Sequence, residues 1–386
     1  MHIALISPLP PEQTGIADYA AIFKQHLESC QIQVTCPLQG VDLKSLPVAL
    51  TEIDWAAFDV VHAELGGGRV IEFSALQWLA KLDKRPRLTA TVHDPERLVW
   101  RLAKLPKLLS WCAAKPATAK FAALLADPWT LKAERKLAGQ LDALVTLTHT
   151  GAKCLQEKMH IPEHKVHVIA HGNLSSLSAE LPEFTPIRLL YFGFIYRGKG
   201  IEDLLDALAL VFDKKPSLKS KIKLTLAGGT APETTFNPED NYCEQLSLKV
   251  NQLNLSSVID WQLNLPKESI VSLVQAHHVL VLPYRESRKL ALLGQMRGTS
   301  GVLSWANACG RGVITSDARS FPEEVSYGNG AIYQQGNVAE LAQRIIEVAN
   351  NPERIKQWHL AAEQLGNERA WATTAQHFIS TVFSEA

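Results

Sequence analysis

Short apolar runs alternate with stretches of helical period along most of the chain. His2–Ser7 is apolar enough for a buried strand, and the PLPPEQTG that follows is too rich in proline for anything but a loop. Ile16–Ser29 has helical period, so the first unit reads strand, glycine-bearing loop, helix. Further strand-like runs fall at Ile32–Cys36, Val60–Ala63, Leu88–Val92 and Ala143–Leu147, with helical patterns between them. Leu174–Pro186 is polar and proline-bearing and reads as a linker. A second series begins with strand Ile187–Gly193 and helix Ile201–Phe212. Strand Ile222–Ala227, a helix near Glu239–Leu253, a strand near Val258, helix Lys267–Ala276 and strand Val279–Leu282 continue it. Helix Val302–Cys309, strand Val313–Ser316 and helical patterns over Asn337–Gln364 and Ala370–Phe383 complete it. Strands alternating with helices predict an α/β protein with parallel, doubly wound sheets, whose ligands sit at the carboxyl ends of the strands. A length of 386 residues suits two such Rossmann-like domains, with a ligand cleft between them.

Polar groups fall at three strand ends of the first half: Glu64 with Gly66, Gly67 and Gly68, then His93 with Asp94, then Thr148 with His149. The second half holds two turns suited to an anion. Val279–Leu282 stops at Pro283, and the loop beyond it carries Arg285, Arg288, Lys289 and Arg297 with Glu286 its only acid. Thr299, Ser300 and Gly301 then open a helix, where free backbone N–H groups and the helix dipole favour negative charge. The other turn, Gly193 to Gly200, nearly matches the P-loop pattern but puts Gly200 where a magnesium-binding hydroxyl is needed, which speaks against a P-loop NTPase. Its cations still suit a diphosphate, Arg197 through a bidentate fork and Lys199 as a point charge. The same residues also fit solvated loops with Ser300 as an ordinary N-cap. His93 could orient a sugar hydroxyl or shuttle a proton, or be a structural histidine with satisfied bonds.

Several classes recede. The first loop lacks GxGxxG, which disfavours NAD or FAD, and the residues around Ser300 lack the GxSxG spacing of a hydrolase. No Asp-x-Asp pair offers a metal anchor beside the phosphate turns, so no metal and no cofactor are expected. Lysine plus arginine (39) equals aspartate plus glutamate (39), so nothing global points to nucleic acid. Six widely spaced cysteines and an N-terminus unlike a signal peptide predict a cytoplasmic, reduced protein. Residues 97–136 differ from the rest: nine lysines and arginines stand against Asp127 and Glu134, with Trp100, Trp111 and Trp129 among leucines. Such a stretch suits peripheral contact with an anionic membrane, and equally a solvated helix face with its tryptophans in the core.

Taken in order, SPLPPEQTGIADYA, TVHDP, VIAHGN, YFGFIYRGKGIEDLLDAL, LAGG, VLVLPYRE, SGVLSWANACGRGVITSD and FPEEVSYGNG resemble the landmarks of the family 4 (group 1) glycosyltransferases. The resemblance spans nearly the whole chain and implies the GT-B fold. It places an acceptor-binding domain at 1–180, a nucleotide-sugar domain at 181–365 and a last helix, 366–386, crossing back to the first domain. It implies retaining, metal-independent transfer of a hexosyl group from a nucleotide sugar to a glycan or lipid-linked acceptor, in bacterial polysaccharide or glycoconjugate assembly. His93, Arg197 and Lys199 would be catalytic. Gly15, Arg197, Lys199, Ser300, Gly301 and Glu323 would bind the donor, and Glu64 and Gly67 the acceptor. Two departures stand out: Phe194 occupies the place of the usual arginine, and the family's paired glutamates fall at Arg297 and Trp305. They admit a second class of reading, a catalytically silent partner protein that binds acceptor or another transferase. A third, a sugar-nucleotide epimerase, would form product without an acceptor.

Overall fold

The structure, a computed structural model, describes residues 1–100, 116–175, 177–229, 241–286 and 294–384, with backbone alone for 116–120 and 123. The chain forms two compact units.

The first unit takes in Met1–Gly172, Arg288–Thr299 and Trp371–Ala386. Its strands are β1 (His2–Ile6), β2 (Gln33–Thr35), β3 (Val60–Leu65), β4 (Arg87–Val92), β5 (Ala143–Thr146) and β6 (Val166–Val168). All pair in parallel in the order β2-β1-β3-β4-β5-β6. The helices are α1 (Gly15–Ser29), α2 (Leu46–Glu52), α3 (Val70–Leu79), α4 (Pro116–Gln140) and α5 (His149–Met159). Helix α1 starts where Thr14 accepts a hydrogen bond from Ala17 N at 3.1 Å, and it turns Ala17, Ala20, Phe23 and Leu27 inward. Thr148 caps α5 in the same way, through Gly151 N at 3.0 Å.

The second unit comprises Asn173–Ser287 and Ser300–Ala370. Its strands are β7 (Ile187–Phe192), β8 (Ile222–Gly228), β9 (Ile259–Leu263), β10 (Val279–Leu282), β11 (Gly312–Ser316) and β12 (Gly330–Tyr333). They pair in parallel in the order β12-β11-β10-β7-β8-β9. Around them lie α6 (Ile201–Lys214), α7 (Tyr242–Gln252), α8 (Ile270–Gln275), α9 (Gly301–Ala308), α10 (Phe321–Glu324), α11 (Val338–Ala349) and α12 (Pro352–Glu368). Strand order reverses between β7 and β10, and such a switch point leaves a crevice at the strands' carboxyl ends. Beyond α12, α13 (Trp371–His377) and a π-helical turn, Phe378–Phe383, complete the first unit, where Phe378 packs on Phe23 at 4.6 Å between ring centroids.

Two elements differ from the sequence reading. Strand β3 runs on to Leu65, so Glu64 lies inside the sheet. The helical patterns over Asn337–Gln364 are two helices, as read, divided where Asn351 caps the second with Pro352 in its first turn. The polar stretch before β7 is no free linker. Leu177, Leu181 and Phe184 pack on the second unit's core. Arg311, with no exposed surface, donates from one guanidinium nitrogen to Ala179 O at 2.7 Å and Cys309 O at 2.8 Å. From the other it reaches Glu180 O at 3.0 Å and Gln275 O at 2.8 Å. Burial pushes this guanidinium down to about 10, so a charge held by carbonyl dipoles alone fixes the stretch in place. Among the described residues no helix is long and apolar enough to cross a membrane.

Candidate functional site

In the first unit the chemistry gathers at the ends of β3 and β4. Glu64 is fully buried, and its Oε2 accepts from His93 Nε2 at 2.7 Å. His62, two residues earlier on the same face of β3, stands 3.4 Å from Glu64 Oε1. His62 is itself held by Thr89 Oγ1 at 2.8 Å and Thr91 Oγ1 at 2.9 Å on β4. Burial alone would push the Glu64 carboxyl up, but the hydrogen bonds and charge of His62 and His93 outweigh it and hold it down at about 2. A carboxylate that only accepts fixes the proton on His93 Nε2 and leaves Nδ1 as the ring nitrogen able to meet a ligand. Tyr19 from α1 packs edge-on against His93, with centroids 4.8 Å apart. With no exposed surface of its own, Glu64 faces a ligand only by way of His93.

The surrounding loops are fastened to each other. Gly67 N donates to Asp94 Oδ2 at 2.9 Å. Residues 294–299 lie across the His93 loop: a Cβ on Gly298 would stand 2.1 Å from His93 O, so no other residue fits there. Arg297 Nε lies 3.8 Å from Glu96 Oε1, and Gln295 N donates to the same carboxylate. Gly15 is the exposed first residue of α1, and a Cβ there would meet nothing within 4 Å. The protein's own packing does not require glycine at that position.

In the second unit the two anion-type turns meet at the β7/β10 switch point. Gly200 caps α6 at φ 68°, and its Cβ would fall 1.7 Å from Pro283 O. Arg285 N donates to Gly198 O at 3.0 Å, lacing the loop after β10 to the turn after β7. Tyr284, buried at the end of β10, lies under Lys199, whose Nζ is 3.7 Å from the ring centroid. The Tyr284 hydroxyl is 3.3 Å from Ser300 Oγ, and a Cβ on Gly193 would stand 3.7 Å from that hydroxyl. Ser300 caps α9 through Val302 N at 3.4 Å, and Gly301 beside it is exposed. Lys199, Ser300 and Gly301 therefore share one corner, with Gly193 and Tyr284 as its floor. Arg197 sits towards α7, donating to Gln245 Oε1, with its guanidinium 5.2 Å from the Tyr242 ring centroid. Glu323 is half-buried in the single-turn helix α10 after β11, next to Glu324, which is buried and pairs with Arg369 at 2.8 Å.

The basic loop after β10 is less cationic than its sequence suggests. Arg285 pairs through two nitrogens with Asp203 in the first turn of α6, and Arg297 is turned to Glu96. Arg288 and Lys289 lie outside the described residues. Glu286 accepts from Arg319 N at 3.2 Å. Sequence reasoning missed Tyr284, the Arg285–Asp203 pair and His62. Only His62 carried a signal: alternate residues of one strand, 62 and 64, face the same side.

Two families match. The one described as glycosyl transferases group 1 covers residues 178–365, and glycosyltransferase family 4 covers residues 28–172. A D-inositol 3-phosphate glycosyltransferase of Thermobispora bispora is 23% identical over 342 residues, 85% of this chain and 71% of that protein. One from Streptomyces bingchenggensis is 28% identical over 203 residues, 51% of this chain but only 40% of the relative's length. Among solved structures, sucrose-phosphate synthase from Thermosynechococcus elongatus has a TM-score of 0.72 at 17% identity, covering 98% of this chain and 97% of that one. Anabaena HepE in complex with UDP-glucose has a TM-score of 0.68 at 17% identity, covering 99% of each chain. With two parallel six-stranded sheets, each wrapped by helices, the fold is the two-domain α/β arrangement called GT-B. The chain belongs to the group 1 / family 4 glycosyltransferases.

Proposed function

We propose that the protein is a retaining hexosyltransferase that takes its sugar from a nucleoside diphosphate donor without a metal ion. The observation that carries this reading is the corner at the β7/β10 switch point. There Lys199 over Tyr284, the capped start of α9 at Ser300 and Gly301, and the glycine turn at Gly193 come together. A cation beside a helix start suits a diphosphate, and Arg197 adds a second cation on the α7 side. As the glycosidic bond opens, these groups stabilise the leaving diphosphate. The acceptor hydroxyl attacks the same face and passes its proton to a phosphate oxygen. His93 meets the transferred sugar through Nδ1, and Glu323 reaches the ribose. Gly15 lets the first loop approach the donor, and Gly67 lines the acceptor side. The HepE structures with UDP and UDP-glucose support a nucleotide sugar as the donor class.

The setting we propose is cytoplasmic assembly of bacterial polysaccharide or glycoconjugate on a glycan or lipid-linked acceptor, with peripheral membrane contact somewhere in 97–136. Of that segment, 101–115 lie outside the described residues. Arg297 and Trp305, standing where the family has paired glutamates, favour one second reading, a silent partner protein.

The test is a thermal-shift panel of UDP, GDP, ADP and their sugars, followed by transfer and hydrolysis assays with the donor that binds. Ligand at a hundredfold excess over Kd adds about 2.7 kcal/mol of apparent stability. A silent partner shows neither transfer nor hydrolysis. Lys199→Ala and Arg197→Ala should each weaken diphosphate binding by roughly 1.5–3 kcal/mol, about ten- to a hundredfold, with unchanged melting of the unliganded protein. Unchanged affinity in both variants would remove the diphosphate from this corner. Turnover should also survive EDTA, and full loss restored by Mg²⁺ or Mn²⁺ would end the metal-free part of the reading.

A further inference from the structure

Helix α4 carries an apolar face that the protein leaves in solvent. Phe121, Leu124, Leu125 and Trp129 are 64%, 45%, 51% and 67% exposed. Their spacing of i, i+3, i+4 and i+8 puts them on one side of the helix. The opposite side is the packed one, with Ala122, Ala126, Thr130, Glu134, Leu137 and Ala138 buried. Lys132 and Lys136, at i+11 and i+15, continue the exposed face and are themselves exposed. Trp129, which could have filled the core, points outward instead.

What decides the partner is where the acids go. Helix α4 has two, Asp127 and Glu134, and one buried arginine, Arg97, takes both. Arg97 Nη1 donates to Asp127 Oδ1 at 2.6 Å and Nη2 to Glu134 Oε1 at 2.6 Å, while Nε also reaches Glu134. Arg135 is drawn off as well, donating to Lys158 O at 2.9 Å. The outward face is left with bulky apolar residues and lysines and no acid to balance them. A protein partner needs a complementary shape; a lipid surface needs only apolar side chains to enter the headgroup layer and cations to meet phosphates. Tryptophan is the side chain best suited to that layer, and a lysine stem can lie along lipid while its ammonium stays at the phosphates.

We propose that this face of α4 docks on an anionic phospholipid bilayer, with Phe121, Leu124, Leu125 and Trp129 entering the headgroup boundary and Lys132 and Lys136 meeting lipid phosphates. The proposal rests on the membrane-contact part of the reading above and gives it a place and a lipid class. Docking holds the protein at a surface where a lipid-linked acceptor would be concentrated.

The experiment is co-sedimentation of the full chain with vesicles of phosphatidylcholine alone or mixed with phosphatidylglycerol, at low and high salt. Wild type should bind the mixed vesicles at least tenfold more tightly than the neutral ones, and less so as salt rises. Phe121→Ser with Trp129→Ser should lose tenfold or more on mixed vesicles, and Lys132→Glu with Lys136→Glu should lose the preference for them. All four positions are exposed, so both variants should melt like wild type. If both pairs sediment like wild type, this face is not the contact, though membrane contact elsewhere in 97–136 survives. If wild type binds neither vesicle, the membrane-contact reading falls as a whole. If light scattering shows a wild-type dimer that Phe121→Ser with Trp129→Ser turns into a monomer, a second copy covers the face and the proposal is wrong.

Discussion

Gly200→Ala should melt far below the wild type and lose nucleoside diphosphate binding with it. Two costs add at this position. The backbone is left-handed at φ 68°, which costs a residue with a Cβ roughly 1–2 kcal/mol. The Cβ itself would stand 1.7 Å from Pro283 O, and that neighbour is backbone, which cannot swing aside. Overpacking of this kind costs about 1–3 kcal/mol, so the sum is on the order of 3 kcal/mol or more. Relief would require β10 and the start of α6 to move apart, taking Tyr284 from beneath Lys199. Gly328→Ala is the control: its φ is also positive, at 80°, but nothing lies within 4 Å of its Cβ. It should cost only the backbone share. Equal urea midpoints for the two variants would mean that the β10 loop is not held against the turn.

Glu64→Gln should keep the fold and lower turnover by roughly a hundredfold, in line with what a positioned acid–base group contributes. Glutamine has the same shape but no charge, and half of its amide end donates. Facing His93, the amide either accepts weakly from Nε2 or offers an N–H that forces the ring proton onto Nδ1. In the first case the tautomer is held less firmly, and in the second it is reversed, so that Nδ1 carries the proton. The readout that separates positioning from packing is kcat beside the melting temperature: loosened proton placement lowers kcat while melting stays that of the wild type. A purely structural Glu64 would shift the melting temperature and leave the kcat of the folded protein in place. Unchanged kcat would remove Glu64 and His93 from the mechanism.

Most of the strands could be read from the chain because a parallel strand buried on both faces is a short apolar run closed by a turn residue. Val279–Leu282 and Ile222–Ala227 announce themselves in this way. The glycine turn at 193–200 and the start of α9 were legible for a related reason: turns and helix caps demand particular residues. Partnership across the sequence was not legible. Nothing in the chain marks Arg285 as the partner of Asp203, 82 positions away, rather than of a phosphate. Nor does composition separate His93 from His277 and His278. His277 is buried against Thr225 at 2.7 Å, while His278 accepts from Arg188 N at 2.9 Å. Polarity misled at Glu64, because a buried carboxylate is tolerated where His93 bonds it and His62 stands 3.4 Å away, and no local pattern announces them.

The buried Arg311 alters what a protease would find. By composition the stretch before β7 is the place to cut, polar and proline-bearing with no helix of its own. Its carbonyls at Ala179 and Glu180, however, are ligands of a charge that has no exposed surface and, among the described residues, no carboxylate to fall back on. A fragment of the second unit trimmed to begin at Ile187 would leave that guanidinium short of two acceptors in the interior. Such a fragment should behave as a damaged protein, whereas one that begins at Asn173 keeps the clasp closed. The polar stretch belongs to the body that it precedes.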